Sequence, residues 1–333
     1  MTDLIDRPGA LPGSGRFVES AAPAPRGERP LPVARRPLSR RLLDGSAPYL
    51  YLAPALAALL VWVYSPLIQT FQLSFYDWNL IPTSPAHPAG WSNYGEALSL
   101  PELGQATVNT LLYLLGLLPF TIVVPVLVVL ASQRIHGRAR AFYRTSIFAP
   151  YLIAPVATAI IWRWLLDPGG GLINQVLELV GIGPISFLRD PHYALWSIVV
   201  IVGWQLLGFA VLVVSAGLSG IDEDYAAAAR TDGATERQVV GRITLPLLSP
   251  TLLFMTTLTI LSAAQMVFPM IQILTQGGPG GSTSNLYHLL YDTAFGSFDV
   301  GLASAASVLF FLGFGLVAWG AVWLMDRWSF HDD

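Results

Sequence analysis

Ile221-Asp-Glu-Asp-Tyr-Ala-Ala-Ala-Ala-Arg230-Thr-Asp-Gly-Ala-Thr-Glu-Arg-Gln-Val-Val-Gly-Arg-Ile-Thr-Leu-Pro246 is a polar stretch set between two long apolar segments. It reads as two short helices separated by a glycine. Asp222 is placed to cap the first, and Glu223 and Asp224 in its first turn complement the helix dipole. The run Ala226–Ala229 is a strong helix former with little bulk. Arg230 falls near the helix end, and Gly233 offers the positive φ that stops it. Thr235 with Gln238 three residues on makes a capping-box pattern for a second helix, which runs toward Pro246 and Pro250. A loop this long and this strongly patterned is rarely a mere connector. A small-faced helix followed by a glycine turn is the expected shape of a docking element.

The flanking segments set the class. The chain has 333 residues, 53% hydrophobic and 12% charged, against about 25% charged for ordinary globular domains. Windows at Tyr49–Gln69, Asn109–Ala131, Ser146–Leu166, Leu195–Gly217, Thr251–Gln272 and Leu302–Met325 reach the roughly 20 apolar residues that cross a bilayer core. Arg163 is the charged residue among them. It lies near the outer end of the third window between Trp162 and Trp164, where snorkelling in an aromatic belt accounts for it. The expected organisation is a tail at 1–46, a six-span domain at 47–328 holding the polar loop at 218–248, and a short tail at 329–333. The tail, rich in Pro, Gly, Ala and Arg, reads as disordered and cytoplasmic. No cleavable signal peptide is evident, so the first span is expected to serve as its own insertion signal.

Arginine placement sets the orientation. With the N-terminus inside, the tail, the loop after span two (Arg134, Arg138, Arg140, Arg144), the polar loop (Arg230, Arg237, Arg242) and the C-terminus (Arg327) are all cytoplasmic. That leaves Arg163 and Arg189 outside; the reverse orientation inverts the bias. The chain contains neither lysine nor cysteine. Thiol chemistry is therefore excluded, and so is a phosphate-binding loop ending in G-K-[ST]. If ATP drives this protein, another chain binds it. No acid lies within a span, which argues against proton- or sodium-coupled carriers. The five histidines are scattered, so no metal or catalytic cluster is expected.

Three outer loops have content. Asp77–Thr107 carries Trp91 and Tyr94, Asp167–Tyr193 carries an apolar helical period from Leu172, and Gln276–Gly301 carries the non-helical turn Gly277–Gly281. Prolines at 54, 66, 119, 125, 150, 155 and 269 fall within spans and read individually as packing kinks.

At the opening stretch the chain resembles the permeases of type I ABC importers. Their loop pattern, E-A-A-x-x-x-G-x9-I-x-L-P, is matched by Ala227-Ala228-Ala229, Gly233 and Ile243-Thr-Leu245-Pro246, with alanine in place of the leading glutamate. Asp232-Gly-Ala234 is similar to the carbohydrate-uptake branch, the maltose and glycerol-3-phosphate permease-like group. Thr275-Gln-Gly-Gly-Pro-Gly-Gly-Ser-Thr283 and Gly171-Leu-Ile-Asn174 resemble that group's outer segments.

The resemblance implies an all-α membrane protein in a bacterial inner membrane, with six transmembrane helices, both termini inside and a cytoplasmic coupling helix. It implies a second homologous permease, two ATPase subunits that bind ATP and Mg, an extracellular solute-binding protein or lipoprotein, and surrounding lipid. It implies no cofactor in this chain, no enzymatic activity of its own and no nucleic acid. The solute would be a sugar or a related polyol or glycerol phosphate; an ion-coupled secondary transporter is the rival reading. By the same resemblance, Ala227, Ala228, Ala229, Arg230, Asp232, Gly233 and Ala234 would meet the ATPase. Leu172, Asn174, Gly277, Gly278 and Pro279 would face the binding protein. Val202, Leu206 and Phe209 on span four and Ala264 and Val267 on span five would line the solute pathway. All five are apolar, so their neighbours Gln205 and Gln265 are candidates to supply hydrogen bonds.

Overall fold

A computed structural model describes residues 51–81, 83–133 and 138–328. The expected tails at 1–46 and 329–333, and Arg134, lie outside them; the side chains of Arg138, Arg140, Arg144 and Arg327 are likewise not described. The described part of a first compact unit, Met1–Ala58, is helical; all packing below belongs to the second unit, Leu59–Asp333.

Helix α1 (Tyr51–Leu73) leads to a two-residue antiparallel pair, β1 (Tyr76–Asp77) and β2 (His87–Pro88), and then to α2 (Ser92–Ser99). The long helix α3 (Pro101–Ser132) follows. Next come α4 (Arg138–Phe148) with a 3-10 turn at Ala149–Leu152, α5 (Pro155–Leu165) and the short helix α6 (Leu172–Leu179). Helix α7 (Pro191–Ser219) leads through α8 (Glu223–Thr231) to α9 (Glu236–Leu274), α10 (Leu286–Tyr291) and α11 (Val300–Trp328). Among the described residues, five helices (α1, α3, α7, α9 and α11) are long and apolar enough to cross a membrane, or six spans if the bent pair Thr145–Leu152 and Pro155–Leu165 counts as one.

That pair corrects the expected third span. Ser146–Leu166 is not one helix: its halves meet at 102°. Pro155 has no N–H to continue the ladder and biases its predecessor toward extended geometry. Ile153 and Ala154 accordingly take ψ of 130 and 137. The freed Ile153 carbonyl accepts the Gln205 Nε2–H of α7 at 2.8 Å. Left unpaired at this depth, it would cost about 1–3 kcal/mol.

The other prolines are absorbed differently. Wide π turns at Leu60–Tyr64, Pro119–Val123 and Val240–Thr244 each end two residues before a proline, at Pro66, Pro125 and Pro246. Widening the turn relieves the clash between the proline ring and the carbonyl four residues earlier, so the helix continues. This also corrects the second half of the polar loop. It is not a separate short helix but the first turns of α9, continuous with the following span.

Helix α7 is the centre of the bundle, with 61% of its most apolar window buried inside the chain. One core joins Tyr113 and Leu117 of α3, Ile198, Ile201, Val202 and Leu206 of α7, and Val267, Met270 and Ile271 of α9. A second joins Val126 and Val129 to Val211, Val214 and Leu248. By contrast, Leu60, Trp62 and Phe71 on α1 and Phe311, Leu316 and Trp319 on α11 are exposed, as suits faces that meet lipid or another subunit.

Candidate functional site

Helix α8 opens where Asp222 accepts the Asp224 N–H at 3.0 Å. It closes at Gly233, whose φ is +86. Ala234 N–H donates to Ala229 O at 2.9 Å and Gly233 N–H to Arg230 O at 3.0 Å, the pairing of a Schellman stop. Two residues later Thr235 N–H donates to Gln238 Oε1 at 2.8 Å, within the capping box that starts α9. Across this elbow, Arg230 in the last turn of α8 donates to Glu236 in the first turn of α9: Nε to Oε1 at 2.7 Å and Nη2 to Oε2 at 3.3 Å. The hydrogen bond to Glu236 and then its charge raise the Arg230 guanidinium above its ordinary pKa. Ala227, Ala228, Arg230, Asp232 and Gly233 are exposed, and Ala229 and Ala234 are half-buried. Asp232, Gly233, Ala234, Gln238, Arg242 and Ile243 border an open notch of about 280 Å³. The loop thus presents a small, exposed corner whose N–H groups at 233, 234 and 235 are paired within it.

The outer candidates divide. Leu172 is exposed, but Asn174 is 2% exposed. Its Nδ2 donates to Asp167 O and Ile185 O, both at 3.1 Å, and its Oδ1 accepts Ile185 N–H at 2.9 Å. It pins its own loop: both Nδ2 hydrogens are engaged there, and burial keeps the side chain from an outside partner. The Gly277–Gly281 turn is also drawn inward. Gly277 is buried and Gly278 and Pro279 are half-buried. Thr275 and Thr283 share a hydroxyl hydrogen bond of 2.8 Å, and Thr283 Oγ1 donates to Gly278 O at 2.8 Å. Helix α3 holds the turn from below. Asn109 Nδ2 donates to Gly281 O and Ser284 O, Tyr113 OH donates to Thr283 O, and Thr110 Oγ1 accepts Leu286 N–H. Asn285 Nδ2 donates to Ala264 O of α9 at 3.0 Å. The two threonines of the motif are therefore the internal stitching of the turn.

Of the span residues singled out by sequence, Leu206, Phe209 and Gln265 line one cavity of about 290 Å³, together with Thr121, Tyr151, Thr259 and Ser262. Tyr151 and Phe209 stack with centroids 5.1 Å apart and planes at 22°. Thr259 donates to Thr121 Oγ1 at 2.8 Å. Gln265 is exposed at the rim. Val202 and Val267, at 2% and 0% exposure, do not line it, whereas Leu206 reaches it from the same core. Ala264 is buried and lines a different recess, toward α11. Gln205 is engaged by Ile153. The cavity is amphipathic: aromatic faces and hydroxyl and amide groups, with no charged side chain among its lining residues.

The family model for the binding-protein-dependent transport system inner membrane component matches residues 97–329. The chain belongs to this family. It is a transmembrane permease subunit of a binding-protein-dependent importer. The trehalose/maltose transport system permease protein MalF of Thermococcus litoralis is 32% identical over 266 residues, covering 79% of this chain and 88% of its own length. The arabinooligosaccharides transport system permease protein AraP of Bacillus subtilis is 27% identical over 265 residues, covering 79% and 83%. A crystal structure of a bacterial ABC transporter involved in the import of the acidic polysaccharide alginate superposes with a TM-score of 0.75 at 22% identity, covering 87% of this chain and 98% of that one. A second structure, the alginate transporter in complex with alginate pentasaccharide-bound periplasmic protein, gives 0.73 at 22% identity, covering 87% and 96%. These likenesses establish a shared fold.

Several residues that shape this permease's site carry no local sequence signal. Tyr151 enters the cavity because the break after it turns the chain, and Thr121 and Thr259 meet across 138 positions. Glu236 carried no signal of its own in the opening stretch. Its pairing with Arg230, six residues away across a glycine, follows no helical period.

Proposed function

We infer that this permease imports a sugar or a related uncharged polyol by alternating access driven by ATP that other subunits hydrolyse. The observation that carries the reading is the inner elbow. Its exposed alanine helix, stopped by Gly233 and stitched to α9, is a rigid peg continuous with a membrane span. A peg of that kind converts the motion of a docked partner into rotation of α9 against α7. Two ATPase subunits binding ATP and Mg take that role, gripping Ala227, Ala228, Ala229, Asp232, Gly233 and Ala234.

A second homologous permease completes the pathway on the open side of the Leu206–Phe209–Gln265 cavity. Stacked aromatic rings with hydroxyl and amide neighbours suit the apolar faces and hydroxyl rims of a sugar. A glycerol phosphate finds no countercharge among the residues lining this cavity. The permeases named above for trehalose, maltose and arabinooligosaccharides support the same solute class. A solute-binding protein delivers from outside, and Leu172 and the exposed loop around Trp91 are the surfaces offered to it. The arginine bias supports both termini facing the cytoplasm of a bacterial inner membrane, with six spans over 47–328 when the bent pair is counted as one.

Reconstitution into liposomes tests this. With second permease, ATPases and binding protein present, sugar uptake should require ATP and stop without the binding protein, and this chain alone should transport nothing. Uptake by the chain alone, driven by an ion gradient, contradicts the reading and favours a secondary carrier.

A further inference from the structure

We propose that the Arg230–Glu236 ion pair is a clamp that fixes the angle between α8 and α9, making both side chains positioning residues for energy coupling. The inference rests on the permease reading above and deepens it. The geometry is specific: two parallel hydrogen bonds, at 2.7 and 3.3 Å, join the planar guanidinium to one carboxylate across the glycine turn. The main-chain bonds of the elbow run from residues 233 and 234 back into α8. They fix the stop, but leave rotation about residues 234 and 235 to be limited by side chains. Arg230 and Glu236 face each other across that joint.

Both charges also sit where their helices favour them. Arg230 is in the last turn of α8, against the negative end of its dipole, and Glu236 is in the first turn of α9, against the positive end. The pair is half-exposed, at 50% and 65% of side-chain surface, so it contributes little to overall stability. Its effect is on stiffness. A docked partner pushing α8 moves α9 only to the extent that the joint does not bend. Glu223 on α8 adds only a weaker charge effect on Arg230, and the hydrogen-bonded carboxylate that ties the two helices comes from α9.

The test uses the reconstituted transporter and measures solute imported per ATP hydrolysed. Arg230→Glu and Glu236→Arg should each lower that ratio about two- to fivefold, the range an exposed bidentate pair supports. The exchange of both together restores the pair but sets each charge against its helix dipole, so it should recover part of the lost ratio and exceed either single variant. A double exchange as defective as either single variant shows that Arg230 serves the partner and not Glu236, and overturns the clamp. Single variants with the native ratio overturn it too.

Folding is controlled for in one sample. The chain has no cysteine, so Arg230→Cys/Glu236→Cys can be bridged selectively with a short dithiol-reactive reagent. Bridging should raise the ratio; an unchanged ratio contradicts the proposal. A native complex that shows no ATP-dependent uptake at all refutes the permease reading itself and is thereby distinguished from failure of the clamp.

Discussion

Replacing Gly233 with leucine is expected to abolish ATP-driven uptake while folded permease still reaches the membrane. The residue holds φ at +86 with open space around the position of a Cβ. A Cβ there meets no atom of the described residues within 4 Å, and the position is exposed, away from the core. The backbone still objects: an L-residue in the left-handed region costs roughly 1–2 kcal/mol. The helix stop would shift and carry the alanine face with it. Leucine adds bulk where a partner's surface must approach. Asparagine tolerates left-handed geometry, so Gly233→Asn should retain a substantial part of transport. Uptake, binding-protein-stimulated ATP hydrolysis and membrane level should be measured together. Normal stimulated hydrolysis in the leucine variant would count directly against a docking role for the elbow.

A second glycine fails differently. Gly208 lies where α7 crosses the end of α4, and a Cβ there would stand 2.8 Å from Phe148 Cα and closer still to the Ile147 carbonyl oxygen. The obstacle is backbone, which cannot swing aside as a side chain can. Helix crossings in membranes depend on small residues at such points. Gly208→Leu should separate α7 from the bent pair, with a destabilisation of about 3 kcal/mol, the upper part of the range for overpacked cores. The expected result is loss of monodisperse protein after detergent extraction and a lowered melting temperature, before any transport assay is attempted. A variant that melts like the native permease would show that the crossing is looser than its geometry indicates.

These two sites also mark how far the sequence could be read. The polar loop was legible because its determinants are local. Asp222, the alanine run, Gly233 and the Thr235–Gln238 box each act within one helical turn, and the structure places the caps and the stop where the pattern put them. The long apolar helices α3, α7 and α11 were legible for the same reason. The third span was not. Pro150 and Pro155 read as kinks, but the size of the bend depends on a partner for the stranded Ile153 carbonyl. That partner, Gln205, stands 52 positions away.

The turn at Gly277–Gly281 was recognisable as non-helical. Its inward pull was not, since Asn109 and Tyr113 reach it from more than 160 residues upstream. Asn174, assigned to the binding protein by resemblance, has a second role that no local pattern signals: it satisfies its own loop's backbone through Asp167 and Ile185. Along the pathway the helical spacing of Val202, Leu206 and Phe209 suggested one shared face. All of that face packs inward, but Leu206, buried like Val202, and half-buried Phe209 line the cavity while Val202 does not.

The most direct measurement is cross-linking from the peg itself. A photoreactive side chain substituted for exposed Ala228 should, in the assembled transporter, attach to an ATPase subunit, while the same probe at Trp91 on an outer loop should not. An actively transporting complex in which the Ala228 probe reacts only with water or lipid would contradict the claim that this elbow is where the motor holds the permease.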